Sequence, residues 1–220
     1  GGSFTDKMGQ IFGEKSANNS VARFQTNFLK RGSAGVIFTN FDRAGSYNRA
    51  LGLDVSQRFG SASSMDVWFT DVSDSDSNNE GQAASASLNL RNDVYGASLS
   101  YTSVGENFRP ALGFVQRRDM KQSIGTVTYS PILEKGPFRQ MVFHTMGIHT
   151  DGQDGELQSW DIYPSVSFST KERDQIRFSG SRSFDRLESV FRIRPDAEIV
   201  AADYTFGRYG VTFTSDPGRK

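Results

Sequence analysis

The residues best equipped for chemistry are carboxylates gathered in polar stretches. Asp71, Asp74, Asp76, Asn78 and Glu80 lie close together, and Asp74-x-Asp76-x-Asn78 has the spacing that opens a calcium loop. The glycine at the sixth position and the glutamate at the twelfth are missing, so a solvated acidic loop is the better reading. A second cluster, Asp151, Asp154 and Glu156, is closely followed by Trp160. Carboxylates beside an aromatic ring suit sugar contact, which makes Asp151, Asp154 and Trp160 candidate ligand contacts. Two loop carboxylates meeting in space could also serve glycoside hydrolysis. Nothing in the sequence selects a pair, so no catalytic residue is assigned. His144 and His149 are five residues apart, which on a strand puts them on opposite faces and prevents joint chelation. The chain has no cysteine, hence no thiol nucleophile, thiolate metal site or disulfide. It has no nucleophile elbow, dinucleotide-binding turn or phosphate loop. The expectation is a non-enzymatic protein without cofactor or metal.

The elements that must position these groups repeat with period two. Ala84, Ala86, Leu88 and Leu90 alternate with Ser85, Ser87, Asn89 and Arg91. Tyr95, Ala97, Leu99 and Tyr101 alternate with Gly96, Ser98, Ser100 and Thr102, and Trp160, Ile162, Val166 and Phe168 face away from Asp161, Ser165, Ser167 and Ser169. Weaker alternation occurs at Phe24/Thr26/Phe28 and at Leu51/Leu53/Val55. Successive strand side chains point to opposite faces, so each run has one apolar and one polar surface. Short polar links such as Lys30-Arg31-Gly32-Ser33, Arg91-Asn92-Asp93 and 170–174 are those of antiparallel hairpins. The pattern predicts about eleven strands, near 20–29, 33–41, 47–59, 64–72, 82–91, 95–104, 122–131, 138–150, 157–170, 175–185 and 201–214, paired in sequence order as a single domain over 1–220. The segment 186–199 reads as a long loop.

Composition narrows the medium. The 220 residues carry 25 basic and 25 acidic side chains, a balance that argues against nucleic-acid binding. Aromatics at 12% are too many for a disordered chain. No apolar run approaches the ~20 residues of a membrane helix, whereas a membrane β-barrel stays open. Three features favour the barrel over a soluble sandwich. The polar faces are Ser, Thr, Asn, Gln and Gly with scattered Arg, as suits a wet lumen. Aromatics fall near strand ends, with Tyr95 and Tyr101 roughly 20 Å apart and Trp160 and Phe168 roughly 26 Å. The strands exceed the five or six residues typical of globular sheets. Pro164, which lacks a ladder donor, requires a bulge or an end-of-span position.

The stretch Asn107-Phe108-Arg109-Pro110-Ala111-Leu112-Gly113-Phe114-Val115-Gln116-Arg117 resembles a known family. Phe108, Pro110, Gly113, Phe114 and Arg117 match its Phe-x-Pro-x-x-Gly-Phe-x-x-Arg pattern. Further matches are Ile193-Arg194-Pro195 and Asp203-Tyr204-x-Phe206-x-Arg208-Tyr209, with 33–40 and 47–54 also similar. The family is the C-terminal barrel domain of unknown function that follows a carbohydrate-binding module in Gram-negative surface proteins. The resemblance implies an outer-membrane β-barrel attached to a sugar-binding module elsewhere in the parent chain, and it carries no catalytic residue. The matched residues themselves read as structural: proline fixes φ, glycine permits a bend, and Phe108 and Phe114 cover it. Arg117, Arg118 and Arg208 either pair with carboxylates such as Asp119 or Asp203, which is the expected reading, or line a solute path.

The expected protein is therefore an all-β, antiparallel up-and-down transmembrane barrel or a large part of one. Gly1-Gly2-Ser3-Phe4 is no secretory signal, which suggests a portion of a longer polypeptide. The expected partners are the lipid bilayer and polar solutes such as saccharides. The rival readings are a soluble β-sandwich that binds carbohydrate and a barrel-borne glycan hydrolase.

Overall fold

The computed structural model describes residues 17–43, 45–75, 80–194, 196–216 and 218. Eleven strands form one antiparallel meander: β1 (Ala17–Phe28), β2 (Gly32–Arg43), β3 (Ser46–Phe59), β4 (Ser63–Asp74), β5 (Glu80–Arg91), β6 (Tyr95–Val104), β7 (Met120–Tyr129), β8 (Phe138–Asp151), β9 (Leu157–Thr170), β10 (Gln175–Leu187) and β13 (Ala202–Thr214). Two short strands, β11 (Phe191–Arg194) and β12 (Ala197–Ile199), make a separate hairpin inside the segment expected to be a loop. Strand contacts follow the hydrogen-bonded order, each strand beside its chain neighbours except that β13 takes the place beside β10. The sheet is open, with β1 and β13 at its two edges.

The two ends of the sheet differ. One end carries tight connections, at 29–31, 60–62, 92–94 and 171–174, together with the longer link 130–137. The opposite end carries the two longest connections, 105–119 and 188–201, together with the shorter links 44–45, 75–79 and 152–156. At the tight end the chain reverses through left-handed residues, Leu29 at φ 52° and Gly60 at φ 62°. Arg31 Nη1 donates to Gly60 O at 2.6 Å and so ties two neighbouring turns together.

Register fixes which residues share a face. Leu88 stands opposite Leu99, Ala86 opposite Tyr101 and Ser87 opposite Ser100. Ser85 and Thr102 share a 2.9 Å hydrogen bond on the polar face. Followed through all eleven strands, one face is apolar over the half nearer the tight turns, and the other is lined mainly by small and polar groups. Burial is inverted relative to a water-soluble sheet. On β3, Asn48, Ala50 and Gly52 are buried while the intervening Arg49, Leu51 and Leu53 are exposed. Thr150, Ser165 and Ser183 are likewise buried on the polar face. Leu88 is 39% exposed, Leu99 61% and Ile162 44%. No second layer covers these side chains among the described residues. The polar face is the more enclosed one, hereafter the inner face.

The outer face is itself divided along the strands. Towards the tight turns it is Val55, Leu53 and Leu51 on β3, Leu90 to Ala84 on β5, and Phe168, Val166 and Ile162 on β9. Towards the long loops it becomes polar, with Arg49 bonded to Asn40 at 3.0 Å, Gln82 to Asp71 at 3.1 Å and Arg186 to Asp203 at 3.0 Å. Aromatic pairs mark both margins. Tyr95 stacks on Tyr129 at 5.1 Å and Phe138 meets Phe168 at 5.2 Å on the turn side, while Trp160 stacks on Phe184 at 6.3 Å on the loop side.

Pro164 sits in the middle of β9, neither at a bulge nor at an end. The ladder between β9 and β10 pairs Ser165 with Ser179 and Ile162 with Arg182, and skips the residues between them. Both strands skip two residues, so register is kept. The sheet accommodates the missing N–H by locally leaving the ladder unpaired.

Candidate functional site

The most elaborate side-chain architecture lies at the long-loop end, where the connection 105–119 folds onto the inner face of β3, β4 and β5. Phe108 enters a small apolar cluster with Ala50, Val72, Ala83 and Val104, and Val115 and Met120 pack against it. Val72 is 1% exposed, the most enclosed of them. The anchor is the buried amide of Asn48. Its Nδ2 donates to Arg109 O at 2.8 Å and Asp74 Oδ2 at 2.9 Å, while its Oδ1 accepts from Ala111 N at 2.8 Å. A planar amide offers donor and acceptor together, so one side chain satisfies both a carbonyl and an N–H of the loop.

A second amide braces the loop from the side. Gln153 Nε2 lies within hydrogen-bond reach of Ser103 Oγ, Val104 O and Met120 O, at 3.0, 3.1 and 3.0 Å. Lys121 Nζ donates to Gln153 O at 2.9 Å, and Gln153 N donates to Asp119 Oδ1 at 3.3 Å. The 152–156 turn thus locks the base of 105–119. Backbone turns complete the fold, Phe108 N donating to Gly105 O and Gly113 N to Pro110 O.

Close approach of the loop depends on Gly81. A Cβ there would lie 2.5 Å from Phe108 Cα, and closer still to the Asn107 carbonyl oxygen. Both obstacles are backbone, which cannot swing aside. Asn48 entered the sequence reading only within the family-like stretch 47–54, and the roles of Gly81 and Gln153 escaped it because their partners lie in distant segments; a small residue within a strand was the only local signal.

The motif residues divide between these roles. Phe108 is buried and Pro110 and Gly113 form the bend, but Phe114 is 92% exposed and covers nothing. Arg117 donates to Gln158 instead of a carboxylate. Asp119 accepts from Gln153 N, and Asp203 pairs with Arg186. The expected pairing of Arg117, Arg118 and Arg208 with Asp119 or Asp203 therefore does not occur, because nearer partners satisfy both acids. Arg194 lies on the exposed hairpin, and Pro195 falls outside the described residues. Tyr204, Phe206 and Arg208 lie on the inner face of β13, with Tyr204 Oη donating to Val200 O at 2.9 Å. Tyr209 is on the outer face, almost fully exposed.

No hydrogen bond, ion pair or ring contact draws the sugar-contact candidates together. Asp151 meets His149 Nε2 at 2.9 Å, Asp154 accepts from Glu156 N at 2.9 Å within its own turn, and Trp160 stacks on Phe184 outside. His144 faces inward beside Thr128 Oγ1 at 3.1 Å, on the opposite face from His149. In the first acidic stretch Asp74 contacts Asn48, and Asp76 and Asn78 fall outside the described residues. No cluster of three metal-binding side chains exists among the described residues.

Removing the Asn48 amide strands two loop groups. Asn48→Ala is expected to destabilise the loop by about 1–3 kcal/mol. Limited trypsin digestion should then cut faster after Arg117 or Arg118 while the strands stay protected; unchanged cleavage would show that the amide does not hold the loop. No family model, curated protein or solved structure matches this chain.

Proposed function

We propose that the chain forms the wall, or a large part of the wall, of a β-barrel in the outer membrane of a Gram-negative bacterium. The observation that carries this reading is the inverted face of the sheet: buried Asn48, Thr150, Ser165 and Ser183 against exposed Leu51, Leu88, Leu99 and Ile162. Exposed leucines in rows cost free energy in water and gain it in lipid, at about 25 cal/mol per Å² of apolar surface. The apolar half-face, edged by aromatic pairs, matches the belt and girdles of such barrels. The two longest connections, 105–119 and 188–201, both lie beyond the polar half of the strands, as long outer loops do in such barrels. No described helix is long and apolar enough to cross a membrane.

The polar inner face, rich in serine and threonine, stabilises water and polar solutes, and the docked 105–119 loop narrows the outer mouth over β3 to β6. The function is passage or surface handling of polar solutes such as saccharides, without catalysis. The sequence resemblance adds a sugar-binding module on the same polypeptide as the partner that delivers them. Purified polypeptide is expected to need detergent and, once folded, to migrate differently on a gel before and after boiling. A monodisperse protein in detergent-free buffer would overturn the reading.

A further inference from the structure

The inner wall of β9, β10 and β13 holds cationic groups that the loop-end architecture leaves unused. Beside the ladder gap at Pro164 opens a recess of about 320 Å³, lined in part by Tyr163, Ser165, Arg177, Ser181 and Arg208. Register puts all five on the inner face, with Arg177 opposite Ser167 and Thr212, and Arg208 opposite Ser181. Arg177 Nη2 donates to Ser165 Oγ at 3.1 Å, and Arg208 lies within electrostatic reach of Tyr163. Among the described residues neither arginine forms a salt bridge. Arg23 on the far wall is the contrast, its Nη2 held by both oxygens of Asp54 at 3.0 and 3.1 Å.

Arg177 and Arg208 are four strand positions and one strand apart, roughly 14 Å between Cα atoms, so their long side chains can reach a common group. Two guanidinium forks without a protein carboxylate, set among hydroxyls, are an oxyanion-binding arrangement. Asp161 lies on the same face towards the loop end, beside Tyr163. Its charge directs an anion to the turn side, where Arg177 stands.

We infer that this strip of inner wall binds the oxyanion group of a polar solute, a carboxylate, sulfate or phosphate ester. Arg177 and Arg208 hold the charge, and the Ser181 hydroxyl donates a hydrogen bond. The inference rests on the lumen reading above and narrows its solutes to those that carry an anionic group.

The test is the reversal potential of the full-length polypeptide in planar bilayers under a potassium chloride gradient. The wild type should favour chloride. Arg177→Gln with Arg208→Gln should lower the chloride-to-potassium permeability ratio about threefold or more. Arg177→Lys with Arg208→Lys should retain it. Sulfate should reduce chloride current in the wild type and much less in the glutamine variant. If the double variant does not fold, Arg208→Gln alone should give an intermediate ratio. An unchanged ratio in variants that conduct overturns the strip and leaves the barrel standing. Absence of ion current from folded wild-type protein overturns the open lumen and the strip with it, while detergent need and gel mobility test the barrel separately.

Discussion

A chain carrying both Leu88→Arg and Ile162→Arg is expected to fail to fold into lipid. Each arginine on the apolar outer face costs about 2–4 kcal/mol near the bilayer midplane. The two positions lie on β5 and β9, with three strands between them, so their costs add. The sum, about 4–8 kcal/mol, rivals the ~5–15 kcal/mol of a typical folded protein. Folding into liposomes, followed by mobility of the unboiled protein and by urea titration, reads the loss. Arginine at Ser87 and Ser167, on the inner face of the same two strands, should cost within about 1 kcal/mol, since that face is wet. Equal tolerance of all four substitutions would mean that water, not hydrocarbon, bathes the leucine face.

The second large effect is expected at Gly81. Gly81→Val puts a branched side chain where the backbone of Asn107 and Phe108 passes, and neither strand nor loop can yield without losing its hydrogen bonds. The loop must leave. Phe108 then gives up its enclosure, worth about 1.5–3 kcal/mol, together with the Asn48 bonds at roughly 1 kcal/mol each. A total near 3–5 kcal/mol follows, localised at one end of the sheet. Trypsin should cleave 105–119 readily while the gel mobility of the folded barrel persists. In a conducting barrel the single-channel conductance should rise as the mouth widens. Conductance and cleavage both at wild-type values would show that 105–119 is not docked against β5.

The strands were legible from sequence because alternation is a local property. Every run read from residues such as Leu88/Ser87 or Trp160/Asp161 lies within a strand of the structure, and the bounds differ by up to three residues, as where β1 starts at Ala17, β7 spans Met120–Tyr129 and β4 and β5 extend into their polar link. The docked loop was half legible. Its proline and glycine announced a bend, but the Asn48 clamp joins residues 61 and 63 positions apart, a distance at which no periodicity survives. The β11–β12 hairpin was missed because Phe191-Arg192-Ile193-Arg194 is only four residues long, too short to stand out from a loop. Pairing of the arginines was misjudged for a related reason: sequence lists possible acids, and only geometry tells that Arg186 reaches Asp203 first.

An odd number of strands has a directional consequence. Where each strand runs opposite to the last, the first and the eleventh, β1 and β13, point the same way. Stitching these margins directly together would create one seam of like-directed backbone, whose slanted bonds hold slightly less well. A cylinder that alternates all the way round instead demands one, three or another odd count of extra staves between them. Parity alone, before any side chain is considered, restricts how this wall can be completed.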